Sequence, residues 1–171
     1  MGFKRAQAHA AAAMLGIATA IPVVEAQNIY QRPTSITATI TGSPTLRDGK
    51  FTGQGASGIC GEIPKMASLS GEDSFVIEFS GMQQTPGSVY SVSFGSKELV
   101  RGKVTGSKFV LNVSVVTANG GKPPVYALDT QTPKPKELGT ATLSQKGRAT
   151  TLSLTGTNDA NETITLTVTC G

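Results

Sequence analysis

Carboxyl groups are the side chains of this sequence from which acid–base chemistry could be built. The one histidine, His9, lies in an N-terminal segment that we expect to be removed. Without an imidazole, Ser-His-Asp and Cys-His catalysis is excluded, and so are zinc sites based on histidine. A pair of carboxylates remains possible. Nine acidic residues could supply it: Glu62, Glu72, Asp73, Glu78, Glu98, Asp129, Glu137, Asp159 and Glu162.

None of these acids is marked as catalytic by its neighbours. Glu78 lies in the middle of a predicted strand, on the face opposite the apolar residues, where a carboxylate is normally solvated. The chain also has no tryptophan, so it lacks the aromatic platform on which glycosidases often hold a sugar. We therefore predict that the protein is not an enzyme, with a hydrolase based on two carboxylates as the alternative.

Two further groups of residues could contact a ligand. One loop gathers oxygen ligands of the kind that Ca²⁺ prefers, in Asn158, Asp159, Asn161 and Glu162. Its spacing matches no EF-hand, and Asn and Asp also initiate turns, so we predict a hairpin turn and keep calcium as a minor alternative. Tyr30 and Tyr126 are the first residues to test for stacking on a ligand. No cofactor is implied.

The N-terminal residues have the features of a signal peptide. Lys4 and Arg5 precede an uncharged, alanine-rich run over residues 10–24, and small residues at Val24 and Ala26 suit signal peptidase. We predict a signal peptide over residues 1–26 and one domain over residues 27–171. The apolar run is too short and too rich in alanine for a stable membrane span. The sequence thus predicts a secreted or periplasmic protein, cleaved near Ala26.

The chain contains two cysteines, Cys60 and Cys170. An exported protein meets an oxidising environment, so we predict that the two form a structural disulfide. The net charge is +4, but the cations are dispersed and no aromatic residues are interleaved with them. This distribution is typical of a solvated surface and excludes nucleic acid as a partner.

Apolar and polar residues alternate with period two through most of the domain, which predicts antiparallel strands. Three inward-facing triplets stand out: Ile36, Ala38 and Ile40; Phe75, Ile77 and Phe79; Tyr90, Val92 and Phe94. Further inward sets are Phe109, Leu111, Val113 and Val115; Leu152 and Leu154; Ile164, Leu166 and Val168, with Cys170 on the same face. The threonines between them would form the outer face.

Weaker strands are predicted over residues 51–57, 99–105, 125–128 and 138–144, the third of them at an edge or in a crossover between proline-rich loops. Turns at Asp48-Gly49 and Lys146-Gly147 suit hairpins. With nine or ten strands and no amphipathic helix, the apolar face must be covered by a second sheet or by closure of the sheet on itself. We predict the first, a two-sheet antiparallel β-sandwich with one disulfide.

The end of the chain, Ile164-Thr165-Leu166-Thr167-Val168-Thr169-Cys170-Gly171, follows glycine- and threonine-rich strands and an earlier cysteine in Ser57-Gly58-Ile59-Cys60. In these features residues 35–171 resemble the mycobacterial 19-kDa lipoprotein antigen family. The resemblance implies a small exported β-rich domain that acts at the cell envelope without enzymatic activity. Residues 26–30 contain no lipid-attachment cysteine, so the membrane anchor of that family does not carry over.

These observations together predict a non-catalytic interaction protein of the cell envelope or the exterior. Its partner would be a polymer, a lipid or a protein, contacted through loops or a sheet edge. A carboxylate hydrolase predicts two acids in one cleft, one of them with a raised pKa. A purely structural surface protein predicts no cleft.

Overall fold

The computed structural model describes residues 29–43, 49–68, 71–82, 84–118, 120–132 and 137–171. These residues form ten strands and one short 3-10 turn, Lys65–Ala67, so the prediction of an all-β chain is confirmed. The strands are β1 Tyr30–Thr41, β2 Gly49–Ile63, β3 Ser74–Ser80, β4 Val89–Ser96, β5 Thr105–Gly106, β6 Val110–Val115, β7 Val125–Asp129, β8 Leu138–Lys146, β9 Ala149–Thr157 and β10 Thr163–Cys170.

All ten strands belong to one sheet, in the order β5-β8-β9-β10-β1-β2-β3-β4-β6-β7. Every neighbouring pair is antiparallel, and the sheet curls into a half-barrel. The predicted division into two separate sheets is not confirmed, because hydrogen-bonded pairing runs through all ten strands. The expected edge position of the strand at residues 125–128 is confirmed, since β7 ends the sheet.

The inner face of the curled sheet holds the core, and most of the predicted alternation is confirmed. The sets that begin at Ile36, Phe75, Phe109, Leu152 and Ile164 are buried. Tyr90 is an exception, with 37% of its surface exposed. A register shift between Val89 and Ser91 turns Val89 inward in its place, because a bulge reverses which face each residue occupies.

The prediction of a strand over residues 99–105 is wrong. Leu99 is buried, but the chain then turns through Arg101 and Gly102, whose φ angles are +56° and +81°. Two consecutive left-handed residues cannot continue an extended strand. Only Thr105–Gly106 pairs, with β8, so the segment is a loop that reaches the sheet at its end.

Two glycines allow the sheet to curl far enough for its two ends to meet. Gly139 of β8 and Gly156 of β9 are paired partners. A Cβ on Gly139 would lie 2.6 Å from Phe109, and one on Gly156 would lie 2.3 Å from Leu128 of β7. Side chains from the β6–β7 end therefore pack directly on the backbone of β8 and β9.

Cys60 of β2 and Cys170 of β10 form the predicted disulfide, and their Cα atoms are 6.6 Å apart. Both are buried on the inner face, and their strands are the two neighbours of β1. The bridge therefore ties together the strands on either side of β1. The predicted signal peptide lies outside the described residues. Within the residues that the structure describes, no helix is long and apolar enough to cross a membrane.

Candidate ligand cavity

A cavity of about 400 Å³ lies between the ends of β1, β2 and β3 on one side and those of β8 and β9 on the other. We call it the open-end cavity. Phe75 of β3 and Leu143 of β8 connect it to the core, since the first is a core residue and the second packs against the core. Ile29 and Val104 add apolar walls. Apolar groups from distant parts of the chain thus surround one space.

Ile29 is held in this wall by close contact with β2. Its carbonyl oxygen accepts a hydrogen bond from the amide of Cys60, at 2.7 Å. A Cβ on Gly61 would lie 2.4 Å from the Cγ2 atom of Ile29. The absence of a side chain at Gly61 therefore lets the Ile29 side chain lie against the strand.

The open-end cavity also contains one buried charge, the guanidinium of Arg32 on β1. Its Nη1 atom donates to the carbonyl of Cys60 at 3.2 Å and to the hydroxyl of Thr150 at 3.4 Å. Its Nη2 atom donates to the carbonyls of Cys170, at 3.1 Å, and Arg148. Arg32 therefore links both ends of the disulfide to the turn between β8 and β9.

The rim of the cavity is shaped by the loop over residues 101–104. The Arg101 side chain donates to Asp73 through Nε at 2.9 Å, and its amide donates to Glu62 at 3.1 Å. Hydrogen bonds from the Arg101 side chain and the Lys65 amide lower the pKa of Asp73. These contacts hold the loop that carries Lys103 and Val104 to the cavity.

No family model, curated protein or solved structure matches this chain.

A second depression, the outer groove, has a volume of about 450 Å³ and lies on the opposite face of β2, β3, β4 and β6. Ile59, Val76 and Val110 give it an apolar floor, and Glu78 and Lys97 supply charges. Glu78 is exposed and accepts a hydrogen bond from Ser93 at 2.9 Å, so it is a solvated carboxylate on the outer face. The outer groove contains no buried charge.

The two tyrosines chosen for stacking lie elsewhere. Tyr30, the first residue of β1, is 54% exposed, whereas Tyr126 of β7 is 3% exposed and belongs to the core. Neither lines the open-end cavity or the outer groove. The burial of Tyr126 leaves no ring face for a ligand, because its neighbours in the core already cover it. Tyr30 keeps an accessible ring.

The loop proposed as a minor calcium site is a closed turn. The side-chain oxygen of Asn158 accepts hydrogen bonds from the amides of Ala160, at 3.1 Å, and Glu162, at 2.9 Å. The Asn158 amide group donates to the Glu162 carboxylate at 2.8 Å. Asp159 and Asn161 are exposed. Across the described ranges, no three acidic, histidine or cysteine residues are grouped to hold a metal ion.

Several of the candidate acids contact cations or backbone amides. Glu72 lies 2.6 Å from Lys97, and this contact lowers the pKa of Glu72. Glu98 accepts hydrogen bonds from the amides of Ser107 and Lys108, which lower its pKa. Glu137 is buried and accepts the amide of Asp129 at 2.8 Å. Glu72, Asp73 and Glu98 are thus stabilised as carboxylates.

Sequence reasoning missed Arg32, although the signal was present. Arg32, Thr34, Ile36, Ala38 and Ile40 alternate along β1, and all five are buried. An arginine in phase with an inward-facing apolar series is a charge directed into the core. The convergence of Phe75, Leu143 and Val104 had no comparable signal, because it depends on how the sheet curls.

Proposed function

We propose that this protein is a non-catalytic binding domain that acts outside the cytosol and holds a small apolar molecule, or the apolar chain of a lipid, in the open-end cavity. The observation that carries the proposal is a cavity of about 400 Å³ walled by Ile29, Phe75, Val104 and Leu143. This volume is within the range of small-molecule sites, which are mostly apolar with a few polar groups. In the proposal, the two halves of the curled sheet act like the layers of a sandwich, with the ligand entering between them at one end.

The ionisation of the acidic residues favours binding over hydrolysis. A general acid needs a carboxyl group whose pKa is raised toward neutrality. Glu72 and Asp73 lie in one shallow depression, but it also contains Lys65, Lys97 and Arg101, and the pKa values of both acids are lowered. Such a cluster holds loops together, and its two carboxyl groups have no proton to donate at neutral pH.

The proposed location rests on the disulfide, because disulfides persist mainly outside the cytosol. The leader predicted over residues 1–26 and the resemblance to the 19-kDa lipoprotein antigens favour the same secreted or periplasmic location. A purely structural surface protein predicts no cleft, so the open-end cavity is the reason for preferring a binding domain.

The test fills the mouth of the cavity with a large side chain. Val104 lines the open-end cavity and is 57% exposed, so Val104→Trp can be accommodated without disturbing the core. Val125 is also 57% exposed but lines neither cavity, which makes Val125→Trp the matched control. The native chain has no tryptophan, so each variant contains a single indole.

We expect an apolar fluorescent probe such as 1-anilinonaphthalene-8-sulfonate to bind the folded native protein and the Val125→Trp variant with equal affinity. The Val104→Trp variant should bind it at least about tenfold more weakly, since the indole occupies the space that the probe needs. Circular dichroism checks that all three proteins are folded. Equal binding by both tryptophan variants, or no binding by the native protein, would refute the proposal.

A further inference from the structure

Arg32 is a buried cation on the wall of the open-end cavity. Only 7% of its surface is exposed, and it is the only buried cation in the described part of the chain. Its four hydrogen bonds all go to neutral oxygens, three carbonyls and one hydroxyl, and no described carboxylate lies within ion-pair distance. A buried charge is normally paired, because removing it from water is costly. Among the described residues, nothing therefore compensates the positive charge at this site.

The guanidinium also has a donor to spare. Arginine carries five N–H groups, and the four hydrogen bonds of Arg32 use only Nη1 and Nη2. The Nε–H donates to no acceptor among the residues described. Arg32 lines the open-end cavity together with apolar side chains. A ligand there meets apolar walls and one buried cation with an unused donor.

We propose that the open-end cavity takes a long-chain monocarboxylate, whose alkyl chain contacts the apolar walls and whose carboxylate pairs with Arg32. This inference rests on the proposed function and specifies the class of ligand. A carboxylate supplies the missing negative charge and accepts the free Nε–H in a charge-assisted hydrogen bond. The alkyl chain matches the walls formed by Ile29, Phe75 and Leu143.

The other charges at the cavity favour a singly charged carboxylate over a phosphate group as the ligand. Lys103 and Glu62 also line it, and both are exposed and of opposite sign, so their contributions largely offset each other. One buried cation balances one carboxylate. A phosphate monoester carries up to two negative charges and would remain partly uncompensated.

The experiment compares ligands with the same alkyl chain on the native full-length domain by titration calorimetry. Dodecanoate should bind about 10- to 100-fold more tightly than dodecanol, which is the effect expected of one charge-assisted hydrogen bond in a buried place. Dodecyl phosphate should bind more weakly than dodecanoate, and dodecyltrimethylammonium more weakly than dodecanol. The preference for dodecanoate should persist from low to high salt, because Arg32 is shielded from solvent.

The outcomes separate the two proposals. If dodecanol and dodecanoate both bind with equal affinity, the role of Arg32 is refuted while the apolar site stands. If neither binds, the proposed function fails and this inference with it. A preference that disappears at high salt would assign it to the exposed Lys103 and overturn the pairing with Arg32.

Two variants locate the effect. Arg32→Met keeps the aliphatic part of the side chain but removes the guanidinium. It should abolish the preference for dodecanoate over dodecanol while dodecanol still binds. Lys122→Met removes one exposed charge away from the cavity and should leave the preference unchanged. If Arg32→Met does not fold, the ligand and salt comparisons on the native protein decide the question. An unaltered preference in folded Arg32→Met would refute the inference.

Discussion

Replacing Gly156 with alanine tests how closely β9 is packed by Leu128 of β7 and by the backbone of β8. The new methyl group would lie 2.3 Å from the Cδ2 atom of Leu128, 2.8 Å from the carbonyl oxygen of Leu138 and 3.2 Å from the Cα atom of Gly139. The leucine side chain can rotate away. The other two atoms belong to the backbone of β8, so the paired strand itself must move.

Gly95 of β4 provides the matched control, because a Cβ at that position meets nothing within 4 Å. Both variants gain the benefit of replacing glycine in a strand, about 0.5–1 kcal/mol. Only Gly156→Ala carries the cost of overpacking, about 1–3 kcal/mol. The free energy of unfolding should therefore be about 1–3 kcal/mol lower for Gly156→Ala than for Gly95→Ala.

Urea denaturation followed by far-ultraviolet circular dichroism measures both free energies of unfolding. The slopes of the two transitions should agree, so that the difference reflects the folded state. Equal stability of the two variants would show that neither Leu128 nor the backbone of β8 lies as close to Gly156 as described.

Two further predictions concern the links between strands. The cysteines of the Cys60–Cys170 disulfide are 110 residues apart, so reducing it should lower the free energy of unfolding by up to about 4–5 kcal/mol. Urea titrations with and without reductant measure this difference. An unchanged midpoint of unfolding would contradict a structural role for the disulfide. The pKa of Glu98 is lowered in the folded state, so its contribution is present above the ordinary pKa of glutamate and is lost as the pH falls through the folded-state value. Glu98→Gln should therefore reduce stability by about 0.5–1 kcal/mol at neutral pH and flatten the acid side of a stability–pH curve; parallel curves for both proteins would exclude this role.

The sequence predicted which residues face inward more reliably than how the strands assemble. Alternation is a local property, and it identified the buried sets of β1, β3, β6, β9 and β10. It failed at Tyr90, because a bulge moves the phase by one residue and no residue type marks it. It failed again after Leu99, where the turn depends on the left-handed conformation of Arg101.

The alternation of apolar and polar residues could not predict the single curled sheet, for a different reason. A sandwich and a half-barrel both bury one face of every strand, so they share the same pattern of apolar residues. The distinction depends on contacts between strands far apart in sequence, such as Leu128 over Gly156. The open-end cavity depends on the same curvature, so its apolar walls could not be predicted from the sequence. The inward position of Arg32 could have been predicted, because it follows from the alternation along β1.

The pairing of β1 with β10 affects the order in which the chain can fold. β1 (Tyr30–Thr41) is an interior strand, and one of its two neighbours lies more than a hundred residues later. A chain emerging from the ribosome therefore exposes one unpaired edge of β1 until β10 has been synthesised, and such long-range pairing slows folding. The strands from β2 to β7 that neighbour one another in the sheet can pair before then, so the open edge of β1 is where aggregation must be prevented during that interval.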